Sequence, residues 1–415
     1  MGILNPRLRK GRGRSPWWLV VLLGLVVMGL VVGCQQPRLQ TPTNRLGDTS
    51  TAVVQPCVTS YSPDRDYFPN KVKFSYAQGV RVDYHRHYKV VAVPGQMNQA
   101  PITYVLVQCG TPIPTEIKGT VITVPIATIA ALSSTYLPHL DVLGLLDRLV
   151  AIDYVKQINN PKVRELVKQG KVHEVGADNT VNVEQLLNLD PSLVMTYQLS
   201  GAAVDYTERL ARAGMTVAVN AEYLETSPLG RAEWLKFTAL FFNQEAAANR
   251  VFAGIVERYR RIAAMAARVS DRPTVMAGLD IGGTWYMPGG KSYMARYFRD
   301  AGANYLWADN PATGSIPLSF EAVLDRASQA QFWFTSSLTW QTQADILAAD
   351  PRYQNFTAVQ TKQVFNNNAR VNATGGNDYW ESGILQPDVV LSDLVKILHP
   401  QLLPSHQLVY YRRLE

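Results

Sequence analysis

Two phrases of similar design occur in the sequence, Asn182-Val183-Glu184-Gln185-Leu186-Leu187 and Leu318-Ser319-Phe320-Glu321-Ala322-Val323-Leu324. In each, a polar residue stands two positions before a glutamate at the start of an apolar helix, as expected for an N-cap followed by an acid in the first turn. Each helix leads into an apolar run, Leu193–Thr196 in the first case and Phe332–Thr335 in the second. The repeat predicts two halves of similar local architecture.

Short apolar runs alternate with helical stretches around both phrases, and this rhythm predicts βαβ units with parallel sheets. The sequence therefore predicts an α/β fold with two doubly wound, Rossmann-like lobes. In the first half the predicted strands are 121–124, 149–152, 193–196 and 217–219, and the predicted helices lie near 136–143, 183–189 and 203–213. In the second half the predicted strands are 275–279, 332–335 and 364–366, and the predicted helices lie near 293–301, 320–327 and 388–399.

A long helical stretch without internal proline, residues 229–269, joins the two halves. In its second half Phe252, Ile255, Tyr259 and Ile262 recur at helical spacing and form one apolar face. A helix of this kind would act as a stiff spine between the lobes. In open α/β sheets a ligand binds outside the carboxyl ends of the strands, so we expect the ligand in the cleft between lobes. The expected boundaries are 119–228 for the N-terminal α/β lobe, 229–272 for the linking helical spine and 273–415 for the C-terminal α/β lobe.

The N-terminus has the layout of a secretion signal, because five basic residues precede an apolar run at 17–32. Val31-Val32-Gly33-Cys34 resembles a bacterial lipobox, in which the cysteine becomes the lipidated first residue of the mature protein. We therefore expect residues 1–33 to be a lipoprotein signal peptide and Cys34 to carry the lipid. An uncleaved N-terminal anchor helix is the alternative. Both interpretations place the rest of the chain outside the cytoplasm.

Two segments separate this region from the first lobe. Residues 34–56, rich in Thr, Pro, Asn and Gln, are predicted to form a flexible tether. Residues 57–118 show strand-like alternation and are predicted to form a β-rich segment. Cys57 and Cys109 are the two cysteines that remain after Cys34. In an oxidising compartment such a pair is expected to form a disulfide, with two unpaired buried thiols as the alternative.

The charge balance argues against a nucleic-acid partner. Residues 1–33 contain five of the 40 Lys and Arg residues and none of the 33 Asp and Glu residues, so the remainder has a net charge of +2 rather than +7. Proteins that bind nucleic acid need a concentrated basic surface. A nearly neutral mature chain does not indicate one.

With these features the chain resembles the helix-spined periplasmic binding proteins for cobalamin, ferric siderophores and haem. The likeness covers about residues 119–403 and includes 132–136 and 378–381, which are similar to the family's cleft helix and C-terminal tail. It implies a binding protein of an ABC importer in which Glu184 and Glu321 meet arginines of the permease dimer. Helix capping alone is the alternative role for each glutamate.

The resemblance also implies a ligand and a location. A ferric siderophore is the favoured ligand, with haem and cobalamin as alternatives, and no cofactor is expected. The protein would be lipid-anchored in the periplasm or on the outer face of the cytoplasmic membrane. The chain is not expected to be an enzyme, since it lacks the Gly-x-Ser-x-Gly and His-Glu-x-x-His motifs. A membrane-tethered enzyme or assembly factor that reuses the fold is the competing hypothesis.

Aromatic residues gather in the loops that are expected to face the cleft, where they would suit a planar or catecholate ligand. Trp285 and Trp380 are favoured because glycine pairs flank or precede them, although each aromatic residue could instead belong to the core. Arg370 could bind an anionic chelate through its planar guanidinium, with a solvated arginine as the alternative. The predicted ligand-binding residues are Tyr136, Tyr154, Tyr197, Trp285, Tyr286, Trp340, Arg370, Tyr379 and Trp380.

A resident metal site is not expected. His85 and His87 lie two apart on a predicted strand, but no third ligand stands at a suitable spacing. We interpret them as exposed strand histidines.

Overall fold

The computed structural model describes residues 57–95, 100–177, 180–198 and 206–415. The predicted signal peptide (1–33), the lipidation site Cys34 and the tether (34–56) lie outside the described residues. Within the described part, no helix combines the length and the apolar character needed to cross a membrane.

The β-rich segment forms a four-stranded sheet. Strands β1 (Arg81–Tyr84), β2 (Tyr88–Val93) and β3 (Ile102–Gln108) are antiparallel neighbours, and β4 (Thr120–Val124) pairs parallel to β3. A disulfide joins Cys57 to Cys109. Because β4 pairs with β3, the predicted strand at 121–124 belongs to this sheet, and its assignment to the N-terminal lobe was wrong. A short amphipathic strand does not reveal its partner, because strand pairing is a long-range contact.

The N-terminal lobe contains a five-stranded sheet in which every pairing is parallel. Its central strands are fully buried, since helices cover both faces of such sheets, and this explains their continuous apolar runs. Three of the four predicted strands are confirmed at their predicted bounds. The strands are β5 (Ile129–Ala131), β6 (Leu149–Ile152), β7 (His173–Glu174), β8 (Leu193–Thr196) and β9 (Val217–Val219), in the order β7-β6-β5-β8-β9. The helices are α1 (Leu137–Val142), α2 (Pro161–Lys168), α3 (Val183–Leu189) and α4 (Tyr206–Arg212).

The predicted helical stretch at 229–269 is three helices rather than one: α5 (Pro228–Glu233), α6 (Leu235–Leu240) and α7 (Glu245–Ala266). The spine is α7, whose 22 residues span about 33 Å. Its predicted apolar face, which includes Phe252 and Tyr259, is buried. The chain leaves the helical path before α7 at Asn243, which has a φ of 55°.

Buried charges attach the β-rich segment to this break. The ammonium group of Lys89 donates hydrogen bonds to the carbonyl oxygen of Leu240 at 2.6 Å, to Asn243 Oδ1 at 2.9 Å and to Glu245 Oε1 at 2.8 Å. Lys89 thereby binds the buried C-terminal carbonyl oxygen of α6 and the first acid of α7. Glu233 accepts three consecutive backbone N–H groups, those of residues 75–77. The Glu233 contacts lie at the end of α5, and the Lys89 contacts lie between α6 and α7.

The C-terminal lobe contains a mixed five-stranded sheet and a three-stranded antiparallel sheet. The larger sheet has the order β13-β10-β15-β16-β17 and the smaller one β11-β12-β14. The strands are β10 (Thr274–Ala277), β11 (Leu279–Ile281), β12 (Thr284–Pro288), β13 (Asn304–Tyr305), β14 (Ser315–Leu318), β15 (Phe332–Thr335), β16 (Val364–Asn366) and β17 (Arg412–Arg413). The helices are α8 (Tyr293–Asp300), α9 (Phe320–Ala327), α10 (Gln343–Ala349), α11 (Thr357–Gln360), α12 (Ser382–Leu385) and α13 (Pro387–Leu398).

The two phrases occupy equivalent places in the two lobes. Helix α3 leads into β8, which pairs parallel to β5, and α9 leads into β15, which pairs parallel to β10. Asn182 caps α3 by accepting from the N–H of Gln185, and Ser319 caps α9 by accepting from the N–H of Ala322. The predicted α/β fold with two lobes is confirmed.

Candidate ligand-binding cleft

A cavity of about 460 Å³ lies at the carboxyl ends of three parallel strands of the C-terminal lobe. Ala277 ends β10, Thr335 ends β15, and Asn367 follows β16, and all three line the cavity. Tyr223 and Glu225, from the crossover after β9, line the cavity as well. The position is the one expected for ligands of open α/β sheets, and the volume is within the range of small-molecule sites.

Two buried polar atoms at this strand edge have no hydrogen-bond partner in the structure. They are Thr335 Oγ1 and Asn367 Oδ1, and each residue is only 3% exposed. An unpaired polar group in the interior costs about 1–3 kcal/mol. Because both residues line the cavity, a bound ligand with hydrogen-bonding groups would satisfy them.

Aromatic rings form much of the cavity wall. Tyr379 and Tyr411 are buried and Tyr293 is partly buried, whereas two other lining residues are exposed, Tyr286 by 44% and Ile281 by 62%. Exposed apolar side chains at a cavity mouth favour the binding of a bulky, partly apolar molecule. Position 278, beside this wall, requires a glycine. Its φ is 84°, and a Cβ atom there would lie 2.2 Å from the carbonyl oxygen of Tyr286.

A buried ion pair lies behind the aromatic wall. Arg231 Nε donates to Glu222 Oε2 at 2.7 Å, and the guanidinium lies 4.6 Å from the centre of the Tyr293 ring. Burial by itself would lower the pKa of Arg231, but the charge of Glu222 outweighs it and raises the pKa. The cation is thus held and neutralised inside the protein.

Glu225, the charged residue that lines the cavity, is held by the β-rich segment. Its Oε1 accepts from the backbone N–H of Gly79 at 2.9 Å and from Trp234 Nε1 at 2.9 Å, and both of its oxygens accept from the N–H of Gln78. The β-rich segment therefore contributes to the cleft by positioning a carboxylate, although its own side chains are not among the described lining residues.

Of the predicted ligand-binding residues, the structure brings three together at the cavity: Tyr286, Tyr379 and Trp380. The rings of Tyr379 and Trp380 make a T-shaped contact at 4.8 Å. Sequence reasoning missed Tyr223, Thr335 and Asn367. Thr335 and Asn367 could have been found from the rule that the residues ending parallel strands face the ligand.

Trp285 and Trp340 were predicted to bind the ligand, but both lie in the aromatic core rather than at the cavity. Trp285 has no exposed surface, and its indole Nε1 donates to the carbonyl oxygen of Ala277 at 3.0 Å. Trp340 is 5% exposed and packs against Trp333 at 5.6 Å. Gly282-Gly283 form the hairpin turn between β11 and β12 and Gly289-Gly290 lie in the loop between β12 and α8, while alternation along β12 turns the tryptophan inward.

Three predicted ligand residues of the N-terminal lobe are not among the described residues that line the cavity. Tyr136 is 1% exposed, and its pKa is raised by burial and, secondarily, by the charge of Glu222. The hydroxyl of Tyr154 contacts Thr180 Oγ1 at 2.5 Å. The carbonyl oxygen of Tyr197 accepts from the hydroxyl of Tyr206 at 3.0 Å.

Arg370 also lies away from the described cavity lining, and it forms an ion pair within its own segment. Its Nε is 2.9 Å from Asp378 Oδ2, which is almost fully buried. The guanidinium of Arg370 is thus paired with a carboxylate of the protein itself.

A second set of contacts joins the lobes directly. Glu381, just before α12, accepts from the backbone N–H of Asn159 at 2.5 Å and of Asn160 at 2.8 Å. Thr374 Oγ1 donates to the carbonyl oxygen of Lys156 at 2.7 Å. Burial, with a smaller contribution from the charge of Asp378, raises the pKa of Glu381 to about 7 despite the two N–H donors. We call these contacts the lobe bridge.

The two glutamates predicted to meet a permease are exposed in the first turns of their helices. Glu184 lies on α3 and Glu321 lies on α9. Glu321 Oε1 is 3.4 Å from Arg352, which also pairs with Asp350 at 2.7 Å. Both carboxylates are therefore placed where a partner protein could reach them.

Among the described residues, no group of three or more His, Cys, Asp or Glu side chains is arranged to hold a metal ion. His85 and His87 both pack against Tyr88, with ring centres at 4.3 Å and 5.0 Å. The two histidines lie in the turn between β1 and β2, so the prediction that they lie on a strand was wrong; His85 is exposed and His87 is partly buried.

Comparisons with known proteins agree with this architecture. The profile of a family described as periplasmic binding protein matches residues 129–371. An uncharacterized lipoprotein of Methanocaldococcus jannaschii is 28% identical over 296 residues, which are 68% of this chain and 67% of the relative. A possible iron-binding (periplasmic solute-binding) protein of Staphylococcus epidermidis has a TM-score of 0.53 at 16% identity, over 66% of this chain and 99% of its own. A periplasmic heme-binding protein of Roseiflexus has a TM-score of 0.51 at 17% identity, over 67% of this chain and 99% of its own. The two solved structures share the fold.

Proposed function

The chain belongs to the periplasmic binding protein family, and from that premise we propose that it captures a ferric siderophore or a related metal complex for an ABC importer. The observation that carries the proposal is the cavity at the strand ends, with its aromatic wall and the unpaired buried atoms Thr335 Oγ1 and Asn367 Oδ1. A cavity of this kind binds by burying rings and by completing a few hydrogen bonds. Haem and cobalamin are the other metal complexes to be tested.

In this proposal the cleft captures the metal complex, and the surfaces of the two lobes dock on the permease that receives it. Glu184 and Glu321 are proposed to meet basic residues of a permease dimer, one glutamate per lobe. Exposed charges of this kind set the orientation and rate of docking more than the affinity. Hydrolysis of ATP would then take place on another subunit, in keeping with a role in binding rather than catalysis.

We also propose that Cys34 carries a lipid and that the protein works in the periplasm or on the outer face of the cytoplasmic membrane. The basic and apolar N-terminal sequence and the name of the lipoprotein relative support this assignment. Mass spectrometry of the protein isolated from its membrane tests it, since lipidation adds acyl chains to a chain that begins at residue 34.

The binding proposal is tested with the purified full chain, by measuring intrinsic fluorescence and thermal unfolding with ferric chelates, haem and cobalamin. A ligand at 100 times its dissociation constant stabilises the folded state by about 2.7 kcal/mol. Thr335→Val should weaken binding about five-fold without lowering the stability of the free protein, because the hydroxyl it removes has no partner. Thr361→Val, at an exposed position, is the matched control. Absence of binding by every complex, or equal affinity of the Thr335 variant, would refute the proposal.

A further inference from the structure

From the charges around the cleft we infer that it selects a metal complex without net negative charge, such as a ferric tris-hydroxamate, over tris-catecholate complexes and haem. This inference rests on the proposed function and narrows the ligand class. It also departs from the sequence-based expectation that Arg370 binds an anionic chelate.

The cavity lining provides no cation for an anionic ligand. Among the described residues, the single charged side chain that lines it is the carboxylate of Glu225, and the others are aromatic, aliphatic, hydroxyl or amide. An anion that enters this cleft loses its water without gaining an opposite charge, and such transfer is costly. The internal stretches 96–99, 178–179 and 199–205 contain no Lys, Arg or His in their sequence.

Arg231, which contacts the aromatic wall, and Arg370, the arginine predicted to bind an anion, are both paired with acids. Arg231 is 6% exposed, is paired with Glu222 and lies behind the Tyr293 ring. Arg370 is paired with Asp378 at 2.9 Å. Moving either guanidinium to a ligand would leave a buried carboxylate unpaired, so the protein favours keeping both pairs.

The unpaired groups of the cleft suit a neutral ligand. Thr335 Oγ1 can donate to a carbonyl or hydroxamate oxygen of a neutral ligand, and Asn367 Oδ1 can accept from an amide N–H. Three singly charged hydroxamates balance the charge of one ferric ion, whereas three doubly charged catecholates leave it strongly anionic. The neutral complex matches both the charge and the hydrogen-bonding groups of the cavity.

The test is a comparison of dissociation constants for the full chain at low ionic strength, where charge effects are largest. The probes are a cyclic ferric tris-hydroxamate, cyanocobalamin, a ferric tris-catecholate and haem. We expect at least one neutral complex to bind about ten-fold more tightly than either anionic one. Ser336→Arg adds a cation at an exposed lining position, and Ser336→Gln is its uncharged control. The arginine variant should bind the tris-catecholate about ten-fold more tightly than the glutamine variant does.

The outcomes separate this inference from the proposed function. If the tris-catecholate or haem binds the wild-type protein as tightly as the neutral complexes, the inference is overturned while the binding function stands. Equal affinity of the two Ser336 variants for the anionic chelate would also overturn it, because charge would then not control selection. If no metal complex binds, the proposed function fails together with the inference.

Discussion

Replacement of Glu381 by glutamine should change how the stability of the protein depends on pH. Glu381 is 2% exposed and joins the lobes by accepting two backbone N–H groups of the N-terminal lobe. Burial, as the main cause, raises its pKa from 4.5 to about 7. The folded state therefore holds the proton more tightly than the unfolded state does, and folding is favoured most below pH 4.5. This contribution is lost as the pH rises toward 7.

The magnitude follows from the pKa difference. Each pH unit between the two pKa values corresponds to about 1.36 kcal/mol, so ionised Glu381 lowers the unfolding free energy by about 3 kcal/mol above pH 7. Glutamine keeps a carbonyl acceptor and does not ionise. The stability of Glu381→Gln relative to the wild-type protein should thus increase by about 3 kcal/mol between pH 4 and pH 8.

Urea denaturation across this pH range measures the effect. The control is Glu165→Gln, the same substitution on α2 at a side chain that is 58% exposed, which should leave the pH profile unchanged. Parallel profiles for the wild-type protein and Glu381→Gln from pH 4 to pH 8 would refute the argument that the buried lobe bridge titrates. A profile that diverges in the opposite direction would show that the N–H donors outweigh burial.

Three further substitutions test other parts of the structure. His139 is buried, and burial lowers its pKa to about 3, whereas the unfolded histidine binds its proton near pH 6.5. Between pH 7 and pH 4 the unfolding free energy of the wild-type protein should therefore fall by about 3 kcal/mol relative to that of His139→Gln, as measured by urea denaturation. An unchanged difference between the two proteins would contradict this. Lys89→Met leaves Glu245 buried without its partner and should destabilise the protein by about 3–5 kcal/mol in thermal unfolding; a loss below about 1 kcal/mol would show that the pair is dispensable. Glu184→Gln and Glu321→Gln should each reduce ligand uptake in cells while the dissociation constant stays within about two-fold, and weaker ligand binding by either variant would instead assign that glutamate to the cleft.

The sequence determined the elements whose signal is local. The apolar runs at 149–152, 193–196 and 332–335 became buried parallel strands because a strand covered on both faces needs no polar alternation. The N-cap residues Asn182 and Ser319 start the two equivalent helices as predicted, because a cap and its N–H partner lie within three residues of each other. The α/β class and the two similar lobes follow from these local patterns.

The sequence predicted a ligand site at the carboxyl ends of parallel strands, where the described cavity lies, but it predicted only part of the residues that line this cavity. Tyr286, Tyr379 and Trp380 were predicted from aromatic loops and line the cavity, whereas Trp285 was predicted by the same reasoning and lies in the core. The difference arises because an aromatic side chain suits a ligand site and a protein core equally well. Which of the two it joins depends on the strand face it occupies.

Tertiary structure alone decided the features that depend on distant partners. Between α6 and α7 the helical stretch at 229–269 is joined to Lys89, far away in sequence, which binds the carbonyl oxygen of Leu240 and the carboxylate of Glu245. Glu381 acquires its raised pKa from burial between the lobes, where it accepts from the backbone N–H groups of Asn159 and Asn160. Local sequence specifies helices, strands and caps because those interactions span a few residues. The buried contacts of Lys89 with Glu245 and of Glu381 with Asn159 join residues more than a hundred positions apart, so they exist only once the chain has folded.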